Sequence, residues 1–262
     1  MTPEFRTLEE GKKVLASEAG KPISGYPLEF AAPVMFGPPP QRGDSLVVNS
    51  ASASLLQLDG RMLVVTCHHV LQEYRKRLTE LGDCSFQVGN CRLEPLAQLV
   101  AEDATLDIAV IAVTDAQVRE LREYRVENFG RNFVVPPAWP PGGVAEGDFV
   151  AFGGFPGSLR RVMSWRELSF GSYSSGAAGV TVVGKDYLVC QFDRTNWVKC
   201  GYEPEPSTIR GLSGGPAFAV RRAGADILWY EFIGIVYEFS EQYELLYVRL
   251  ARIFGSDGII LG

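Results

Sequence analysis

Asp59-Gly60 stands between two short apolar runs, Ser52 to Leu58 and Arg61 to Val65. Such a dipeptide closes the tightest kind of β-hairpin, because both central positions need positive φ and Asp and Gly tolerate it. A chain that turns back on itself within two residues is committed to antiparallel pairing at that point. The remaining sequence is cut in a similar way. Among 262 residues, 28 glycines and 16 prolines interrupt a composition that is 46% hydrophobic, which suits a β-rich globule with many tight turns and enough apolar matter for a real core.

Periodicity and breakers place the other elements. A helix is expected over Thr2 to Ala19, with Thr2 as N-cap, Pro3 at its first position and Gly20 as a stop. The Pro-rich segment Pro33 to Gly43 reads as loop. His69 to Leu81 has helical spacing; Cys84 to Leu93, Leu96 to Val100 and Ile108 to Val113 read as strands, and Asp115 to Tyr124 as a helix. Six strands fit into this half. Pro136, Pro137, Pro140, Pro141, Gly142 and Gly143 then mark a linker. Beyond it, Asp148 to Gly153, Glu167 to Tyr173, Gly179 to Val183, Tyr187 to Phe192, Ala217 to Arg221, Ile227 to Tyr237 and Leu245 to Leu250 supply strands for a second β-rich half.

The segment with the most chemistry is Gly211-Leu212-Ser213-Gly214-Gly215-Pro216. A serine between glycines in a tight turn exposes a hydroxyl beside free backbone N–H groups, the pairing needed for a nucleophile and an oxyanion hole. A serine hydroxyl is inert at neutral pH unless an imidazole takes its proton and a carboxylate orients that imidazole. The only two histidines, His68 and His69, end the apolar run Val64-Val65-Thr66-Cys67, and Asp107 heads Ile108-Ala109-Val110. Taken singly, a Gly-x-Ser-Gly-Gly is a turn, a histidine after a strand is structural and an aspartate before one is a solvated cap. The order His, Asp, Ser at domain-sized spacing gives the three together a chemical meaning.

On these residues the chain resembles the trypsin-like peptidases of chymotrypsin fold. The family's Thr-Ala-Ala-His element aligns with Thr66-Cys67-His68-His69, making His69 the base and putting His68 where a small alanine packs. Its Asp-Ile-Ala-Leu matches Asp107-Ile108-Ala109-Val110, and its Gly-Asp-Ser-Gly-Gly-Pro matches the serine segment except at Leu212. Gly153-Gly154-Phe155-Pro156-Gly157 is similar to a Gly-Tyr-Pro-type turn of bacterial members. The likeness spans roughly residues 30 to 255. It implies an all-β chain of two antiparallel six-stranded barrels, with a short N-terminal helix and a few short helices in loops. The divisions are an N-terminal extension over 1–30, a first barrel over 31–135, the linker over 136–147 and a second barrel over 148–262. The implied activity is peptide-bond hydrolysis with His69, Asp107 and Ser213 catalytic and the Gly211 and Ser213 N–H groups as oxyanion hole, without metal or cofactor. Proteins or peptides are the implied substrates. A protease-like binding module, or a latent peptidase waiting for an activating protein partner, remains the alternative.

Two departures qualify the likeness. Zymogen-type relatives carry an aspartate at the position of Leu212, which pairs with a freshly cut N-terminus; leucine cannot, so the glycine turn and Leu212 packing must hold the oxyanion hole, and activation by N-terminal cleavage is not expected. The family pattern also puts Ser207 at the base of the primary pocket, Tyr237 to Phe239 along its entrance and Leu245 or a neighbour on the opposite wall. With no carboxylate at the base and bulky Phe239 and Leu245 on the walls, small or medium apolar side chains are expected before the scissile bond. Glu238 and Glu241 read as solvated surface acids.

The remaining composition excludes other classes. A net charge of −6 with scattered basic residues leaves no field for nucleic acid. No apolar run approaches the about 20 residues needed to span a bilayer, and Met1 to Ala19 carries charges where a signal peptide has its apolar core, so a cytoplasmic location is expected. The cysteines at 67, 84, 91, 190 and 200 are odd in number, and Val70 removes the family's disulfide beside the histidine. Free thiols are expected, with Cys84–Cys91 and Cys190–Cys200 bridges as the alternative in an oxidising compartment. No Cys-x-x-Cys pair or spaced histidines suggest a metal.

Overall fold

The computed structural model describes residues 17, 20–39, 47–125, 130–191, 206, 208–223 and 227–261. Its first half is one antiparallel sheet of seven strands: β1 (Ala31–Gly37), β2 (Asn49–Leu58), β3 (Arg61–Thr66), β4 (Ser85–Val88), β5 (Cys91–Leu93), β6 (Leu99–Asp103) and β7 (Ile108–Ala112). The order across the sheet is β5-β4-β1-β2-β3-β7-β6. The β2–β3 turn forms as its sequence requires, with Asp59 and Gly60 at φ 44° and 76°. The second half contributes β8 (Phe149–Gly154), a separate hairpin of β9 (Arg160–Ser164) and β10 (Glu167–Phe170), then β11 (Tyr173–Val183), β12 (Tyr187–Gln191), β13 (Pro216–Ala223), β14 (Ile227–Ser240) and β15 (Leu245–Leu250). Strands β11-β12-β15-β14-β13-β8 close into a six-stranded barrel.

The expectation of two six-stranded barrels therefore holds for the second half and needs correction for the first, which is a curled seven-stranded half-barrel. The physical reason lies in what covers its concave face. Val70, Leu71 and Tyr74 of helix α2 (His68–Leu81), Val118 and Leu121 of helix α3 (Asp115–Glu123), and Phe218, Phe232 and Ile235 of the closed barrel all join the same buried apolar cluster. Apolar area is removed from water by these neighbours rather than by a ladder between β5 and β6.

A second correction concerns Pro33, assigned above to a loop and found inside β1. Prolines are excluded from strands only where their missing N–H would be needed. The β1–β4 ladder begins at Val34, one residue later, and the Pro33 carbonyl still accepts the Gly89 N–H at 2.7 Å. The hairpin β9–β10 was not anticipated in full, since only its second strand has a strand-like pattern. The two helical segments appear within one residue of their expected ends: α2 stops at Gly82 in the left-handed conformation, and α3 starts from a Thr114–Gln117 capping box. The helix expected over Thr2 to Ala19 lies, apart from Ser17, outside the described residues. A short helix, α1 (Lys21–Gly25), and the turn after it lean on the closed barrel, where Tyr26 stacks on Tyr230 with ring centroids 4.7 Å apart. No helix among the described residues is long and apolar enough to cross a membrane.

Candidate active site

Strand β3 delivers the chain straight into α2, so His69 falls in the first helical turn, where backbone N–H groups have no intrahelical acceptor. Asp107 supplies one. Its Oδ1 accepts the His69 N–H at 2.9 Å, and its Oδ2 lies 2.8 Å from His69 Nδ1. One residue thus occupies both carboxylate oxygens, and the imidazole is fixed with Nε2 directed away from the acid. Asp107 sits at φ 51° between β6 and β7, a left-handed conformation that costs a non-glycine residue energy and is held here by the two bonds from His69. Burial opposes ionisation of Asp107, but the side-chain and backbone hydrogen bonds from His69, with the charges of His69 and His68, outweigh it and keep the carboxyl below its ordinary value.

His68 takes a different direction. Its Nδ1 faces Glu102 Oε2 at 3.3 Å without hydrogen-bond alignment, while Arg75 grips both oxygens of Glu102 at 2.7 and 2.8 Å. The Arg75 hydrogen bonds, opposed by burial and aided by the charges of Arg75 and His68, hold Glu102 below its ordinary value. The larger ring in the alanine position is therefore accommodated by an ion cluster on the outer side of α2, not by the cleft.

Ser213 lies in the tight turn between Ile209 and Pro216. Its hydroxyl donates to the Tyr237 carbonyl at 3.3 Å. Leu212 donates its N–H to Ile209, Gly214 to Val236 and Gly215 to Leu212, whereas the N–H groups of Gly211 and Ser213 have no acceptor among the described residues. The Arg210 carbonyl accepts the Gly157 N–H at 2.8 Å; in a trans peptide the N–H opposes the carbonyl, so the Gly211 N–H faces away from that turn. Gly211 and Gly214 stand at φ 105° and 92°, and a Cβ on Gly214 would lie 2.0 Å from the Ser52 carbonyl oxygen. Only glycine allows this close crossing. Leu212 is buried in the core of the closed barrel, as its packing role requires.

The turn is anchored from the other half of the molecule by residues that the sequence reading passed over. Alternate residues of a strand face one side, and Ser50, Ser52 and Ser54 of β2 all face this loop. Ser52 Oγ donates to the Gly211 carbonyl at 2.7 Å and accepts the Phe155 N–H at 2.8 Å, while its own N–H donates to the Ser213 carbonyl at 3.0 Å. Ser54 Oγ donates to the Gly214 carbonyl at 2.8 Å, and Thr66 Oγ1 donates to the Ser52 carbonyl at 2.9 Å. The signal was present as Ser50-Ala51-Ser52-Ala53-Ser54: hydroxyls repeating along one side of a strand in which Ser52 and Ser54 are fully buried must find partners.

Two depressions meet at His69, Gly211 and Ser213. One, of about 280 Å³, is lined by Ile209, Arg210, Leu212, Val236, Tyr237, Glu238 and Phe239. The other, of about 340 Å³, is lined from β2, α2 and β9. Phe239 lines the first depression with Tyr237 and Glu238. Leu245 lines neither depression; it pairs with Ser240 and Gln191 in the barrel wall. Ser207 lies outside the described residues. Glu241 is held by Arg210 at 3.6 Å and by the Thr208 hydroxyl.

Cys67, Cys84, Cys91 and Cys190 are free, buried thiols, and Cys200 lies outside the described residues. Burial, with a smaller contribution from Asp107, pushes the Cys67 thiol well up despite the Gly214 N–H and Arg249; burial pushes Cys190 up to about 12. The Cys67 sulfur, an imidazole nitrogen of His69 and an oxygen of Asp107 lie within 4.8 Å of one another. A metal would need the thiolate that this burial disfavours, and the Asp107 oxygen that already holds Nδ1, so the group is better suited to hydrogen bonding than to ligation. No protein-family model matches the chain, and no curated protein sequence matches it.

Proposed function

We propose that the chain is a serine endopeptidase. The observation that carries this reading is the conjunction at one point of an Asp107-oriented imidazole, the Ser213 hydroxyl and two N–H groups on the same turn that have no acceptor among the described residues. In the mechanism, Ser213 leaves its bond to the Tyr237 carbonyl and attacks a peptide carbonyl carbon while His69 Nε2 takes its proton. Asp107 holds the tautomer with hydrogen on Nδ1 and stabilises the imidazolium. The carbonyl oxygen, now negative, accepts from the Gly211 and Ser213 N–H groups, each donor lowering the barrier by about 3 to 4 kcal/mol. His69 returns the proton to the departing amine, and water repeats the sequence on the acyl-enzyme.

The depression beneath Tyr237 to Phe239 suits the side chain before the scissile bond. Ile209, Leu212, Val236 and Phe239 in its lining favour alanine, valine and similar small apolar residues, while Arg210 and Glu238 bring charge of both signs to the same depression. A second reading, a latent or non-catalytic docking cleft, draws on the Ser213 hydroxyl being bonded to a carbonyl instead of the imidazole. Incubation with a diverse peptide library and identification of new termini by mass spectrometry separates them. Cleavage after small apolar residues, absent in Ser213→Ala, supports the peptidase; intact peptides throughout favour the docking cleft.

A further inference from the structure

Arg160, the first residue of β9, reaches the same cleft. It lines the larger depression together with His69, Ser213, Glu73 and the β2 residues Asn49 to Ala51. Its Nη1 donates to the Val48 carbonyl at 2.8 Å and to Ser50 Oγ at 3.0 Å, which pins the guanidinium to the end of the serine row. Both acceptors are neutral. Among the described residues Arg160 forms no ion pair, and its half-buried guanidinium has its pKa drawn down by burial. Its Nε and Nη2 donate to none of the described residues. Glu73, the one acid among the described lining residues, is already engaged: it accepts from Asn49 at 3.2 Å and pairs with Arg77 at 3.3 Å and Lys76 at 4.0 Å.

A partly desolvated cation held in place without a counter-ion among the described residues, with donors to spare, is a prepared anion site. Its position gives the anion a place in the reaction. When the residue before the scissile bond occupies the depression under Phe239, the chain after that bond runs past Ser213 toward β2 and Arg160. We propose that the larger depression is a leaving-group subsite in which Arg160 receives a carboxylate located just after the cleavage point. This rests on the peptidase reading. The carboxylate belongs either to an aspartate or glutamate side chain or to the free terminus of a short leaving peptide.

The test uses fluorogenic peptides of one sequence with Glu, Gln or Lys in the first two positions after the scissile bond, each with an amidated end, and a Gln peptide ending there in a free carboxylate. Wild-type protein is expected to cleave a carboxylate-bearing peptide on the order of tenfold faster in kcat/KM than amidated Gln, with Lys slowest. Preference for the Glu peptide assigns the side chain as source, and preference for the free-ended peptide assigns the terminus. In Arg160→Gln the ratio of carboxylate to neutral peptide falls to about one, and in Arg160→Lys part of it returns. Equal rates on Glu, free-ended and Gln peptides in the wild type overturn the subsite, with no variant needed, and so does a preference that persists in Arg160→Gln. If no peptide is cleaved and Ser213 resists organophosphates, the peptidase reading has failed. The subsite is then tested by fluorescence anisotropy of labelled Glu, Gln and free-ended peptides. Tighter binding of a carboxylate-bearing peptide, lost in Arg160→Gln, supports it as an anion site, and equal binding overturns it.

Discussion

The two halves solve the same packing problem differently. The second closes its ladder and buries an interior cluster of its own, whereas the first stays open and uses α2, α3 and the outside of its neighbour as the missing wall. That asymmetry shapes the cleft. The Ser213 turn belongs to the closed barrel, yet the serines that pin its carbonyls belong to the open sheet. A half-barrel able to lay one strand flat along its neighbour can reach into that neighbour's Ser213 turn. Leu212 packing on one side and the Ser52 bridge on the other together hold the Ser213 turn.

Removing the chemical group should leave both halves intact and give the largest functional loss. Ser213→Ala is expected to lower kcat on peptides on the order of 10⁵-fold while Tm stays nearly unchanged, because one hydroxyl with a long 3.3 Å bond is deleted. A large fall in Tm would mean that the hydroxyl is structural.

The closed barrel should be the more sensitive partner at the turn itself. Leu212→Asp places a carboxylate in an apolar core with no counter-charge, at a cost of about 3–5 kcal/mol in denaturant unfolding. Retention of wild-type stability would show that a cation reaches this position.

From the open sheet, Ser52→Ala should sharpen the comparison. It leaves the Gly211 carbonyl and the Phe155 N–H without their shared partner, so the expected result is about 1–3 kcal/mol of destabilisation. Kinetically, kcat should drop roughly 10- to 100-fold with KM little changed, as for partial loss of an oxyanion donor. Ser54→Ala, which deletes one bond farther from Gly211, should affect stability but spare kcat by comparison. Equal kinetic losses in both variants would break the claim that Ser52 positions the oxyanion turn.

The smallest expected effect is on acid stability. The hydrogen bonds and charges that overcome burial at Asp107 depress its carboxyl, so the unfolded chain holds a proton there at a pH where the folded chain does not. Its contribution is complete above the ordinary aspartate range near pH 4 and disappears as pH falls through the depressed value. Asp107→Asn should thus be less stable than wild type at neutral pH and converge with it in acid; a constant offset in Tm from pH 7 to pH 2 would contradict this.

Local signals carried much of the outcome. Asp59-Gly60, the end of α2 at Leu81 and the limits of β15 depend on neighbours in sequence, and each was readable, whereas the approach of His69, Asp107 and Ser213 is long-range and was expected only from their order and spacing. Pro33 misled because its tolerance in β1 depends on where the β4 ladder begins, a long-range fact. The open edge of the first sheet was hidden for a similar reason: whether strands close a barrel depends on what else covers their apolar face. Ser52 and Arg160 were missed because a polar residue on a strand shows its partner only when another segment crosses it. Leu245 was displaced from the pocket by a register that places it against Ser240.

The central claim, that Asp107, His69 and Ser213 act as one unit, is tested most directly by the rate at which an organophosphate labels Ser213. Wild-type protein should be labelled quickly, His68→Ala at a similar rate, and His69→Ala barely at all, with intact mass and peptide mapping placing the adduct on Ser213. Rapid labelling in His69→Ala, or its loss in His68→Ala alone, would contradict the assignment.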